Sequence, residues 1–143
     1  MFTAIEFKPW HFDAMHMREF ERARVTKESI VLAASRGSAQ TVIDDTDQII
    51  AVIGFYHIFN SVIEVFMVPS IYVSRYGFQF VRLMRRYLDS LEKSMPIHRI
   101  QTLALAGIDD KWMAVLGFRF EGTLAKYTDD GLDFRMWARV KHE

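Results

Sequence analysis

Gln48–Phe59 is crowded with β-branched and aromatic residues, Asn60-Ser61 makes a tight turn, and Val62–Val68 returns until Pro69 stops it. Such side chains suit a pleated, half-buried surface, and proline cannot donate to a strand ladder. The stretch therefore predicts an antiparallel hairpin. The apolar period then changes from two to 3.6. Phe80, Met84, Tyr87, Leu88 and Leu91 fall on one helical face, with Arg82, Arg85, Arg86, Asp89 and Glu92 opposite. Pro96 ends this helix, and Arg99–Leu105 (RIQTLAL) reads as a buried strand. Strand, amphipathic helix and strand in that order imply a parallel crossover.

The flanks extend the pattern. Thr3–Phe7 reads as a strand that Pro9 ends, and Asp13 or a neighbour opens a short helix over Ala14–Phe20. Thr26 is a good N-cap for a second helix, and Gly37 a good C-cap. Gln40–Ile43 reads as a short strand, and Asp44–Asp47 as a solvated turn rather than a metal site. Further on, Asp109-Asp110 caps a short helix that Gly117 ends. Phe118–Tyr127 and Leu132–Lys141 form a hairpin around Thr128-Asp129-Asp130-Gly131, since Asp-Gly is a strong turn signal. The expected architecture is α/β (α+β): a mixed, mostly antiparallel sheet of about six to seven strands flanked by about four helices. No linker or repeat interrupts residues 1–143, so one domain is expected.

Bulk properties remove several functions. Eighteen basic residues balance eighteen acidic ones, which argues against nucleic acid as a partner. There is no cysteine, hence no thiol nucleophile or disulfide framework, and a cytoplasmic location is the simplest expectation. MFTAIEFKPW does not read as a signal peptide, and no apolar run has the length of a membrane span. No HExxH, CxxC or GxSxG pattern is present, and His11 and His16 are not at helical ligand spacing, so no metal is expected.

Two stretches carry a resemblance. One is VIEVFMVPS, followed by a loop and a basic-faced helix. The other is WMAVLGFRFEGTLAKYTDDGLDFRMWARV, with Leu116-Gly117-Phe118 and Glu121-Gly122. In their order they resemble the GNAT (acyl-CoA N-acyltransferase) superfamily. The spelling W-M-A-V-L-G-F…D-F-R-M-W-A-R is also similar to small GNAT-like proteins of short-tailed bacteriophages, which are described as acetyltransferases or internal core proteins. The resemblance implies transfer of an acetyl or short acyl group from acetyl-CoA or another acyl-CoA to an amine. A phage origin would place the protein in the host cytoplasm.

It also implies roles for particular residues. Phe66 and Val68 would lie on the strand that receives the pantetheine arm. The family's pyrophosphate loop, Gln/Arg-x-x-Gly-x-Gly/Ala, falls on Tyr72-Val73-Ser74-Arg75-Tyr76-Gly77, or in another register on Ser74–Gln79. Both registers depart from the pattern. In the first, Arg75 replaces the central glycine and would offer its guanidinium to the pyrophosphate instead. Arg82 would reach the 3′-phosphate of the adenosine, and Tyr72, Tyr76, Phe78 and Phe80 are candidates to stack on adenine. Glu64, flanked by apolar residues, corresponds to the general base of many such enzymes. His57 on the neighbouring strand is a second base or an orienter. The position of the usual tyrosine acid holds Met113. Two classes stay open: an acyltransferase, or a fold that has lost catalysis and docks on a host enzyme or a virion component. In either case the edge strand expected at Leu132–Lys141 would allow a homodimer.

Overall fold

The computed structural model of the chain describes residues 1–107 and 110–141. Among them run β1 (Thr3–Glu6), α1 (Pro9–Ala14), α2 (Glu19–Arg24), α3 (Lys27–Ser35), β2 (Gly37–Ile43), β3 (Ile49–Phe59) and β4 (Val62–Pro69). A 3-10 turn (Val73–Tyr76) leads into α4 (Gly77–Ser94), then β5 (Arg99–Leu105), α5 (Asp110–Val115), β6 (Arg119–Leu124) and β7 (Phe134–Val140). The strands form an open sheet in the order β1-β2-β3-β4-β5-β7-β6. β4 and β5 are parallel, whereas β1–β2, β2–β3, β5–β7 and β6–β7 are antiparallel. This is the mixed sheet that hairpin and crossover predict, with five described α-helices rather than four. The Asp109 cap expected for α5 lies outside the described residues. Packing divides the chain into two compact units: Met1–His57 with Val65–Gly77, and Ile58–Glu64 with Phe78–Glu143.

In the first unit, Phe7, Met15, Met17, Ile30, Ala39, Ile49, Val52 and Val68 form a buried cluster. The helix expected over Ala14–Phe20 is absent there, and helices lie on either side of Met15–Met17. Pro9, expected to end the first strand, occupies the first helical position of α1, where its missing N–H is no loss. The Lys8 N–H donates to His11 Nδ1 at 3.0 Å. That nitrogen is also 2.8 Å from the Thr41 hydroxyl. Met15 and Met17 are buried from extended backbone, Met17 bridging to Ser70. Thr26 does cap α3, accepting from the Ser29 N–H at 3.1 Å. Gly37, in contrast, is no helix cap. It opens β2 opposite Tyr56, where an added Cβ would lie 2.0 Å from the Phe55 carbonyl oxygen.

In the second unit, α4 buries Phe80, Met84, Leu88 and Leu91, the stripe that the spacing predicts. Tyr87 on the same face is half-buried, and burial pushes its phenol pKa up. Arg139 of β7 reaches α4, donating to Asp89 and Glu92 at 2.7 Å each. The last hairpin is shorter than expected, because Lys126 takes a left-handed conformation at φ 51° and its N–H turns to the Asp133 carboxylate at 2.9 Å. The expectation that Leu132–Lys141 forms an edge is overturned. β7 pairs with β5 on one side and β6 on the other, so β6 is the edge. Among the described residues no helix is long and apolar enough to cross a membrane.

Candidate functional site

The loop after β4 is held by hydrogen bonds from its backbone N–H groups, within the loop and to Ile50 and His16. Ser70 is 1% exposed. Its N–H donates to the Ile50 carbonyl, and its hydroxyl accepts from the Tyr72 N–H at 3.1 Å. The Ile71 N–H donates to His16, Val73 to Ser70 and Arg75 to Tyr72. The amides of Ile71, Tyr72, Val73 and Arg75 are thus engaged within the protein, and the loop is wound into a 3-10 turn. Gly77 has φ −28° and ψ −62°, so the turn does not use glycine's left-handed freedom. Arg75 is exposed, and its guanidinium lies 4.8 Å from the centre of the Tyr72 ring.

Tyr76 closes the loop onto the β2–β3 turn. Its hydroxyl donates to Asp44 Oδ2 at 2.9 Å. Asp44 Oδ1 also accepts from the Thr46 N–H, the Thr46 hydroxyl and the Gln48 N–H at 2.8, 2.7 and 3.0 Å. The Thr46 hydroxyl, with the other donors adding, holds the carboxyl near pKa 2, below the ordinary 3.8. A depressed carboxyl contributes stability above its unfolded value and loses it as pH falls through the folded one. Asp44→Asn should therefore lower Tm at neutral pH. It should also flatten the fall of Tm between pH 3.8 and about 2, which calorimetry at stepped pH checks.

Of the strand candidates, Val68 is 4% exposed in the core of the first unit, and Phe66 packs against the same cluster. Their side chains belong to the interior of that unit. Phe78 stands out on the first turn of α4, 74% exposed, with the Arg82 guanidinium 5.2 Å from its ring centre. Phe80 is core, at 4%.

Glu64 is half-buried on β4. The parallel ladder pairs Val62–Glu64 with Arg99–Gln101, which sets Glu64 beside Gln101. The Gln101 amide Nε2 donates to Glu64 Oε1 at 2.9 Å. His57 is exposed on β3. Its N–H donates to the Arg36 carbonyl, and its ring meets Phe55 edge-on at 5.9 Å. Met113, where the sequence resemblance implies a tyrosine, is on α5. A cavity of 340 Å³ in the second unit is lined by Glu92, Gly117, Arg119, Glu121 and β7, and Glu64 is not among its walls. Sequence reasoning missed Asp44 and Gln101. Asp44 carries a turn signal but nothing that links it to Tyr76. Gln101 could have been found by pairing its strand with that of Glu64.

No family model and no curated protein matches the chain. Solved structures do. A protein assigned as a phosphinothricin N-acetyltransferase superposes with a TM-score of 0.81 at 15% identity over 100% of both chains. Ard1 from Thermoplasma volcanium gives 0.80 at 15% identity over 99% of each chain. A GNAT-family acetyltransferase from Bacillus anthracis gives 0.74 at 18% identity, covering 97% of this chain and 94% of its own. Likeness at such identity speaks to backbone arrangement, and by that measure this chain has the GNAT fold.

Proposed function

We propose that this protein transfers an acetyl or short acyl group from an acyl-CoA thioester to an amine of a small molecule or protein. One observation carries the reading: Glu64, half-buried with its carboxylate held by Gln101, stands on β4 of a fold whose solved examples are named acetyltransferases. Glu64 takes a proton from the acceptor ammonium. The free amine attacks the thioester carbonyl, the carbon–sulfur bond breaks, and the second proton shed by the nitrogen ends on the departing thiolate. No tyrosine at Met113 is needed, because a thiolate is a tolerable leaving group.

Arg75, Gly77, Phe78 and Arg82 would hold the acyl-CoA substrate. The exposed guanidinium of Arg75 suits a pyrophosphate. The start of an 18-residue helix favours anions through its dipole. Phe78 with Arg82 offers an aromatic face and a cation beside it. The backbone of Phe66 and Val68 would pair with the pantetheine amides.

One observation favours a second reading, a catalytically silent protein that binds a host or virion partner. Four amides of the loop, those of Ile71, Tyr72, Val73 and Arg75, already have partners inside the protein. Calorimetric titration of acetyl-CoA, then CoA, decides. Acyl transfer predicts micromolar binding, about −8 kcal/mol, and Arg75→Ala should weaken it roughly 5- to 10-fold. Absence of heat at millimolar ligand would exclude the acyl-CoA reading in favour of the partner.

A further inference from the structure

Glu121, Arg99, Gln101 and Glu64 form a continuous hydrogen-bonded chain from β6 to β4. Arg99 Nη1 and Nη2 donate to Glu121 Oε2 and Oε1 at 2.9 and 2.6 Å. Its third direction, Nε, donates to Gln101 Oε1 at 2.9 Å. Gln101 Nε2 in turn donates to Glu64 Oε1 at 2.9 Å. Each side chain is used according to its inventory: a planar guanidinium with donors on two edges, and an amide with one accepting and one donating end.

The strand register makes the chain possible. Glu64 and Gln101 are neighbours across β4–β5, and Arg99 lies two residues back on the same face. β7 separates β5 from β6, and there it presents Ala138, the partner of both Gln101 and Arg119. So small a side chain leaves room for Arg99 and Glu121 to meet above β7. A register shift between Phe120 and Gly122 releases Glu121 from regular pairing. The Arg99 guanidinium holds the Glu121 carboxyl below its usual pKa, as expected of a two-point ion pair.

The chemical consequence falls on Gln101. An amide can present either end to a carboxylate's surroundings, but with its oxygen held by Arg99 only the N–H end can face Glu64. Proton abstraction demands a fixed geometry, and the Gln101 N–H holds one carboxylate oxygen of Glu64 in place. We propose that Gln101 is a positioning residue for Glu64, and that Arg99, braced by Glu121, fixes Gln101. The proposal rests on Glu64 acting as the base described above.

Two readouts keep the two claims apart. The first follows the Gln101 side-chain amide by NMR in the intact, nitrogen-15-labelled protein. Its resonances are expected to move in both Glu64→Ala and Arg99→Met. The second is steady-state acetyl transfer. Gln101→Leu should lower kcat by roughly 10- to 100-fold with KM for acetyl-CoA within about twofold. Gln101→Glu, which keeps size and the Arg99 bond but donates nothing when ionised, should do the same, so a packing defect is not the cause. Arg99→Met should cost less, roughly 3- to 10-fold, and Arg99→Met with Gln101→Leu no more than Gln101→Leu alone, because both act through one contact. If both Gln101 variants turn over like the parent while Glu64→Gln does not, Gln101 positions nothing and the base reading survives. Amide signals unmoved by Glu64→Ala would likewise sink the proposal. If those signals move but Glu64→Gln turns over normally, the base reading is what fails, and the chain loses its catalytic role with it.

Discussion

Glu64→Gln is expected to lower turnover by roughly 10²- to 10⁴-fold while acetyl-CoA affinity stays within about twofold. The substitution is nearly isosteric. Its amide oxygen can still accept from Gln101 Nε2, the bond that Glu64 Oε1 receives at 2.9 Å. What disappears is the capacity to take a proton. A loss confined to kcat, with circular dichroism and binding heats unchanged, assigns the proton to this carboxylate. Turnover equal to the parent would exclude it and send the search for a base to His57, which is exposed on β3.

Gly54→Ala should destabilise the first unit by about 3 kcal/mol, which for a chain of this size lowers Tm by roughly 10 °C. An added Cβ would lie 2.4 Å from the Ser38 carbonyl oxygen and 2.5 Å from the Phe66 ring. The backbone contact cannot be relieved by a rotamer change. The Phe66 ring would have to leave the cluster around Val52 and Val68. Because Phe66 lies on the strand proposed to receive the pantetheine arm, acetyl-CoA affinity should fall as well. Phe66→Leu in the Gly54→Ala background should recover part of the lost Tm, since the shorter side chain vacates the ring's place. A thermal melt equal to the parent's would mean that Gly54 is not closely packed.

The parts of the fold that repeat on a short period were legible. The β3–β4 hairpin and the stripe of α4 announce themselves within a few residues, and burial of Phe80, Met84, Leu88 and Leu91 follows from that spacing. Features set by distant partners were not. Met15 and Met17 look compatible with a helix, but Met17 is fixed by a bridge to Ser70 on the far side of the sequence. Gly37 looks like a cap and is demanded by the Phe55 backbone. Whether β6 or β7 lies outside depends on which strand β5 accepts, a choice the Asp-Gly turn does not encode. In the candidate site, Glu64 was singled out from its strand and its resemblance. Tyr76 was read as a stacking face, whereas its hydroxyl is tied to an aspartate 32 residues away. Gln101 gave no signal of its own, because an amide in an apolar strand has no signature until its strand is paired with that of Glu64.

The two outer strands of the sheet bear on how the protein behaves when crowded. An open sheet ends in rows of backbone donors and acceptors that invite a further strand, and from there fibrous aggregation. Here β1 is only four residues long, and beside it Glu6 pairs with Lys8 at 2.7 Å. β6 places Arg119 and Glu121 on the other rim, where the irregularity between Phe120 and Gly122 spoils the straight ladder that a foreign strand would copy. Glu121, fastened to Arg99, thus serves at once as the outer brace of a carboxylate and as a guard against stacking into fibrils.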